Sequence, residues 1–239
     1  MWSFLRKASA EEVKNWVEKG ADVNKINEKD GWTPLVYAIV GEASIDVIEE
    51  LIETGADVNV KIKFDWTPLM YAIISGAPDE VIDKLLIKGA DVNAKDQGGW
   101  TPLIHAVNKG RISVIGKLVL HGARVNEKAL NGWTSLMHAV KNIDLECVRE
   151  LLKYNVNLDE KNDYEETALD LAKKIEISKL QDAVKEPDIE KILYEIENLK
   201  DIKIKIEEEE KERRPKRLSN IKQEELPDKK RRQIHTKKM

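Results

Sequence analysis

Residues 89–103 read Gly-Ala-Asp-Val-Asn-Ala-Lys-Asp-Gln-Gly-Gly-Trp-Thr-Pro-Leu. Both ends of this stretch are helix punctuation. Gly89 closes an amphipathic run, Ile82, Leu85 and Leu86, whose spacing puts three apolar side chains on one helical face. A glycine there can take the left-handed conformation that ends a helix. Asp91-Val92-Asn93 then opens a turn. At the other end Thr101-Pro102 starts a new helix. The hydroxyl caps free N–H groups, and proline sits where its missing donor costs nothing.

The same stretch recurs in phase along the chain. Trp-Thr-Pro-Leu stands at 32–35, 66–69 and 100–103, Trp-Thr-Ser-Leu at 133–136, and a weaker Glu-Thr-Ala-Leu at 166–169. The threonines are 34, 34, 33 and 33 residues apart. Gly-Ala-Asp-Val-Asn stands at 20–24, 55–59 and 89–93, Gly-Ala-Arg-Val-Asn at 122–126, and a degraded Asn-Val-Asn-Leu-Asp at 155–159. Positions seven, four and three before each glycine, and before Asn155 in its place, form an apolar ladder: Val13, Trp16, Val17; Ile48, Leu51, Ile52; Ile82, Leu85, Leu86; Ile115, Leu118, Val119; Val148, Leu151, Leu152. One position earlier, Val47, Val81, Val114 and Cys147 are apolar, whereas the first repeat has Glu12, as expected where no neighbour covers the face. Repeats one and two carry one extra residue near Gly41–Ala43 and Gly76–Pro78, read as a loop adjustment.

Helix, turn, helix, glycine cap and connecting loop at this period resemble ankyrin repeats over residues 1–185. The resemblance implies an all-α solenoid of stacked helix-turn-helix units joined by hairpin loops. The array is expected over 1–186, with a capping repeat at 1–24 and repeats starting near 30, 64, 98, 131 and 164. An amphipathic helix is expected over 187–212 and a basic, disordered tail over 213–239. The chain departs from the family where a histidine usually follows the Thr-Pro-Leu leucine. Val36, Met70, Ile104 and Met137 stand there, which makes the contact between repeats more apolar.

Composition limits the function. The 239 residues are 41% hydrophobic and 35% charged, which suits a thin, surface-rich object. Cys147 is the single cysteine, so no internal disulfide forms, in keeping with a reducing interior. The N-terminus has no signal-peptide pattern and no stretch reaches membrane-span length, so a cytoplasmic location is expected, or a nuclear one in a eukaryotic cell. The net charge of −4 hides an uneven split. Residues 211–239 carry twelve Lys/Arg against four Asp/Glu, and residues 1–210 balance at −12. An acidic body argues against the array itself gripping nucleic acid.

The resemblance places binding on the concave face, made by hairpin tips and the first helix of each repeat. Trp32, Trp66, Trp100 and Trp133 precede the threonines there, and Tyr37, Tyr71, His105 and His138 follow four residues after them, at positions expected to be exposed. One turn on come Val40, Ile74, Asn108 and Lys141. Such a strip suits an interface hot spot. Tryptophans that merely stabilise neighbouring hairpins would look the same, and both readings stay open. On the binding reading, a Trp66→Ala, Trp100→Ala double variant is expected to stay folded.

Catalysis is not expected. There is no P-loop, dinucleotide fingerprint or His-Glu-x-x-His. His105 and His138 occupy equivalent sites about one helix spacing apart, too far to share a metal, and read as ordinary surface histidines. Cys147 lies in the core ladder and reads as an inert buried thiol. No cofactor is expected. The function expected is protein binding by a monomeric scaffold. The alternative is a tether whose basic clusters, 213–217 and 229–232, hold nucleic acid or an anionic membrane or direct nuclear import. Ile189, Ile192, Ile196, Leu199 and Ile206 form a helical stripe, expected to fold back over the last repeat, with dimerisation through 188–206 as the rival reading.

Overall fold

The computed structural model describes residues 3–181 and 191–198. The tail at 213–239 and most of the expected 187–212 helix lie outside these residues, as do Ile189, Leu199 and Ile206. The chain divides into two units, Met1–Tyr194 and Glu195–Met239. The first unit is built from helices alone among the described residues.

Each threonine does what its neighbours require. Thr33, Thr67, Thr101 and Thr134 take extended backbone and accept a hydrogen bond at Oγ1 from the N–H three residues on, at 3.3–3.5 Å. All four are buried, so the cap also satisfies a polar atom that water cannot reach. They open the inner helices α2 (Pro34–Val40), α4 (Pro68–Ser75), α6 (Pro102–Asn108) and α8 (Ser135–Lys141). The outer layer is α1 (Ala10–Glu18), α3 (Ile45–Glu53), α5 (Asp79–Ile87), α7 (Ile112–Leu120) and α9 (Leu145–Leu152). Helix α10 (Ala168–Gln181) continues the inner layer against α8.

The core lies between the two layers. Val36, Met70, Ile104 and Met137 are at most 1% exposed, so the apolar substitution for the family's histidine does fill the space between repeats. Val13, Ile48, Leu51, Ile82, Leu85, Ile115, Leu118, Val148 and Leu151 are buried as the ladder requires. So are Val47, Val81, Val114 and Cys147. Trp16, Val17, Ile52, Val119 and Leu152 are half-buried, so the third position lines the edge of the core in every repeat but the third, where Leu86 is buried. Burial and the Asp144 carboxylate hold the Cys147 thiol well above its ordinary pKa, which keeps it unreactive.

Glu12 is exposed, as a cap needs, and it also has a local task. Its carboxylate accepts the Ser9 N–H at 2.7 Å while Ser9 Oγ accepts the Glu12 N–H, a reciprocal capping box that starts α1. The extra residue of repeat one sits in the turn between α2 and α3. That of repeat two is absorbed by α4, which has eight residues where the other inner helices of repeats one to four have seven.

Between outer and inner helices the chain makes a finger. Its base is closed by hydrogen bonds such as Asp96 N–H to the Trp100 carbonyl (3.1 Å) and Ala129 N–H to the Trp133 carbonyl (3.0 Å). Neighbouring fingers also bond to each other, Gln97 N–H to the Phe64 carbonyl and Leu130 N–H to the Gly98 carbonyl, both at 3.1 Å. The fingertip of repeat two is unlike the others. Phe64 and Asp65 both adopt positive φ, +65° and +61°, where the other tips use glycine or a single carboxylate residue.

Two glycines with the same backbone sign have different reasons for being glycine. Gly89 has φ +86° with open space around a would-be Cβ, whereas a Cβ on Gly132 would lie 2.8 Å from the Asp163 backbone nitrogen of the next finger. Gly89→Ala should therefore cost about 1 kcal/mol, the backbone term alone. Gly132→Ala should cost about 2 kcal/mol, since the next finger must shift as well. Urea unfolding of the two variants checks this, and equal losses would contradict the close packing of the fingers.

Of the C-terminal helix, 191–198 is described and helical. Ile192 and Ile196 are fully buried and Tyr194 is exposed, as the three-four spacing expects. Lys191 lines a shallow pocket with Asn142, Asp144 and Arg149 in and after the turn between α8 and α9.

Candidate functional site

The tryptophans leave the base of each finger and lie against the inner helices. Trp32 meets Tyr37 of its own repeat (centroids 5.2 Å apart) and Tyr71 of the next (5.6 Å). Trp66 meets Tyr71 (5.2 Å) and His105 (5.5 Å). Trp100 meets His105 (5.2 Å) and His138 (4.7 Å), and Trp133 meets His138 (5.3 Å). The contacts are edge-to-face or tilted, the arrangement aromatic quadrupoles favour, worth about 0.5–1.5 kcal/mol each beyond area burial. All eight candidate residues thus form one zigzag that crosses four repeats.

The zigzag corrects one expectation. Tyr71, His105 and His138 are only 9%, 6% and 5% exposed, and Tyr37 is half-buried. Tyr71, His105 and His138 are covered because each lies between two tryptophans, one of them from the neighbouring finger, whereas Tyr37 meets Trp32 alone, so the two histidines are not ordinary surface side chains. The tryptophans themselves are half-buried and keep an edge open to solvent. Because they bracket the inner helices, deleting two of them removes ring contacts within and between repeats. The expectation that a Trp66→Ala, Trp100→Ala variant keeps its fold intact therefore loses its basis.

Polar partners differ along the ladder. Asn27 Nδ2 donates to Tyr37 Oη at 2.9 Å, and that hydroxyl also donates to the Asp30 carboxylate. Asp96 sits 2.9 Å from His105 Nε2, both side chains being buried. Burial lowers the His105 pKa and Asp96 opposes the shift. Repeat four has Ala129 at the position of Asp96, each being the residue that closes its finger base. His138 Nε2 is accordingly buried without a hydrogen-bond partner. Its pKa falls to about 4, first through burial and then through the charges of Lys141 and His105. Lys141 Nζ stands over the Trp133 ring, 5.1 Å from its centroid.

Two further devices hold the fingers in register, and the sequence reading missed both. Asn24, Asn59, Asn93 and Asn126 each donate from Nδ2 to a carbonyl of the next repeat at 2.9–3.0 Å and accept an N–H from it at Oδ1. Two residues on, Lys61, Lys95 and Lys128 reach a carbonyl of the following finger. The signal was present as an in-phase Asn-x-Lys after the second, third and fourth Ala-x-Val, at 59–61, 93–95 and 126–128.

A search of curated proteins returned no significant match. A family model of ankyrin repeats, three copies long, matches in overlapping windows at 4–96, 42–129, 77–162 and 103–186. Those windows cover most of the chain, their period is that of the threonine caps and finger closures described above, and the chain belongs to the ankyrin-repeat proteins.

Proposed function

We propose that this chain is a protein-binding scaffold whose partner lies along the tryptophan ladder. Ankyrin repeats are in general protein–protein interaction modules, typically without catalysis of their own. The observation that carries the reading is the solvent-facing edge of four half-buried tryptophans in a row, continued by the half-buried Val40 and Ile74. The inner faces of those rings stabilise the repeats, which fixes the outer edges in place before a partner arrives. A rigid aromatic surface loses little entropy on binding and makes an efficient anchor. No helix among the described residues is long and apolar enough to cross a membrane.

Photo-crosslinking tests the location. A photoreactive group at Asn108, exposed on the inner side, is compared with one at Leu120, 85% exposed on the outer helix α7. A discrete protein adduct in source-cell lysate should form from position 108 and not from 120. Adducts from 120 alone would move the partner to the other face. A second reading, a tether held by the basic residues of 211–239, follows from their +8 balance. It predicts that deleting 211–239 removes binding to DNA, RNA or anionic vesicles, with a steep loss of affinity in salt before deletion.

A further inference from the structure

We propose that the partner segment is apolar at one end and acidic at the other, with its carboxylates set against Lys109 and Lys141 and its apolar side chains over Val40 and Ile74. This rests on the reading of the tryptophan face as the binding surface. The inner helices carry the polarity. The first four, PLVYAIV, PLMYAIIS, PLIHAVN and SLMHAVK, contain no acidic residue, whereas α10 carries Asp170, and its Lys174, at the register of Lys141, is paired with Glu166. At one register Val40 and Ile74 give way to Asn108 and Lys141, and at the next Gly41 and Ser75 give way to Lys109 and Asn142.

The two lysines are exposed, and neither makes an ion pair among the described residues. Lys84 on α5, Lys88 at its C-cap and Lys117 on α7 behave differently, each meeting a carboxylate, Glu49, Glu53 and Asp83. The Asp144 carboxylate, in the turn after α8, is taken up as the N-cap of α9. No carboxylate neutralises either lysine, although residues 1–210 balance at −12, and Lys141 keeps its charge over the Trp133 ring. A lysine at a helix C-terminus is favoured by the helix dipole. The first two repeats do without one, so the fold does not require it. The same two charges also reach inward. Lys109 and Lys141 both act on the buried histidines beside them, pushing each away from its charged form. Exposed charges of this kind choose partners and orient them more than they add affinity.

Selection of random linear peptides on the immobilised full chain tests the proposal. The expected pool is rich in Asp and Glu at one end and apolar at the other. A Lys109→Glu, Lys141→Glu variant should bind those peptides about tenfold more weakly and select a pool without the acidic end. Both lysines are exposed, so the variant should fold, and its thermal melt confirms that. A pool with no acidic enrichment, or unchanged affinity in the folded double variant, overturns the proposal. So does capture of a second copy of the chain in place of peptide. Ile74→Gln separates the two claims. Peptides sensitive to it but indifferent to the lysines sink the acidic assignment alone. Peptides indifferent to Ile74→Gln sink the face itself.

Discussion

Leu85→Ala will lower the unfolding free energy by about 3 kcal/mol, and Leu118→Ala by a similar amount. Both leucines are fully buried, in α5 and α7, and Leu51 and Leu151 hold the same register in α3 and α9 with equally little exposure. Removing the side chain forfeits its transfer free energy and leaves a cavity that helices pinned on both sides cannot close. In a stacked array each central repeat contributes to two interfaces, so the loss acts on both. Leu120→Ala is the control. Leu120 is 85% exposed and its truncation should change stability by less than about half a kcal/mol. Urea unfolding followed by far-UV circular dichroism measures all three. A loss under half a kcal/mol at Leu85 would contradict the ladder.

Acid will destabilise the array through His138, by about 3 kcal/mol in full at order of magnitude. The sign follows from the direction of the shift. The folded pKa is near 4 and the ordinary value is 6.5, so the unfolded chain binds the proton more readily. Stability is fully present above about pH 6.5 and is lost as pH falls toward 4. About 2 kcal/mol of it goes before pH 5, ahead of most carboxylate titration. His105, also shifted down, adds a loss of the same sign. Urea midpoints at pH 7 and pH 5 read the effect. His138→Phe should flatten the difference between them. Ala129→Asp should shrink it too, by giving His138 the carboxylate partner that Asp96 gives His105. A His138→Phe variant with the slope of the parent would assign the acid sensitivity elsewhere.

The fold was legible because its signals repeat. Threonine caps, closing glycines and the Leu51–Leu85–Leu118–Leu151 register each recur at one period, and four copies outweigh local ambiguity. The Gly20, Gly55, Gly89 and Gly122 conformations, φ +86° to +100°, follow the reading directly. Burial at Tyr71, His105 and His138 was not legible. Helical periodicity places them on the finger side of α4, α6 and α8, but only the neighbouring finger decides whether a tryptophan covers them. The Asn93 and Lys95 straps were missed for a related reason. A polar loop residue has no hydrophobic period to announce it, and its meaning lies in a carbonyl about thirty residues away. Phe64 and Asp65 hid in the same way, since the second finger makes its left-handed turn without the glycine that marks the first, third and fourth.

The central claim is that one set of tryptophans holds the array together and presents its binding edge. The chain has six tryptophans, Trp2, Trp16, Trp32, Trp66, Trp100 and Trp133, and only the last four belong to the ladder. Their indole N–H signals can be assigned in the full chain by single Trp→Phe replacements and followed by heteronuclear NMR as a selected peptide or the crosslinked partner is added. The account predicts that the signals of Trp66 and Trp100 move most, those of Trp32 and Trp133 less, and that of Trp16 not at all. Saturating binding that leaves all four ladder signals in place, with shifts confined to Trp16 or to backbone amides of 211–239, would contradict it.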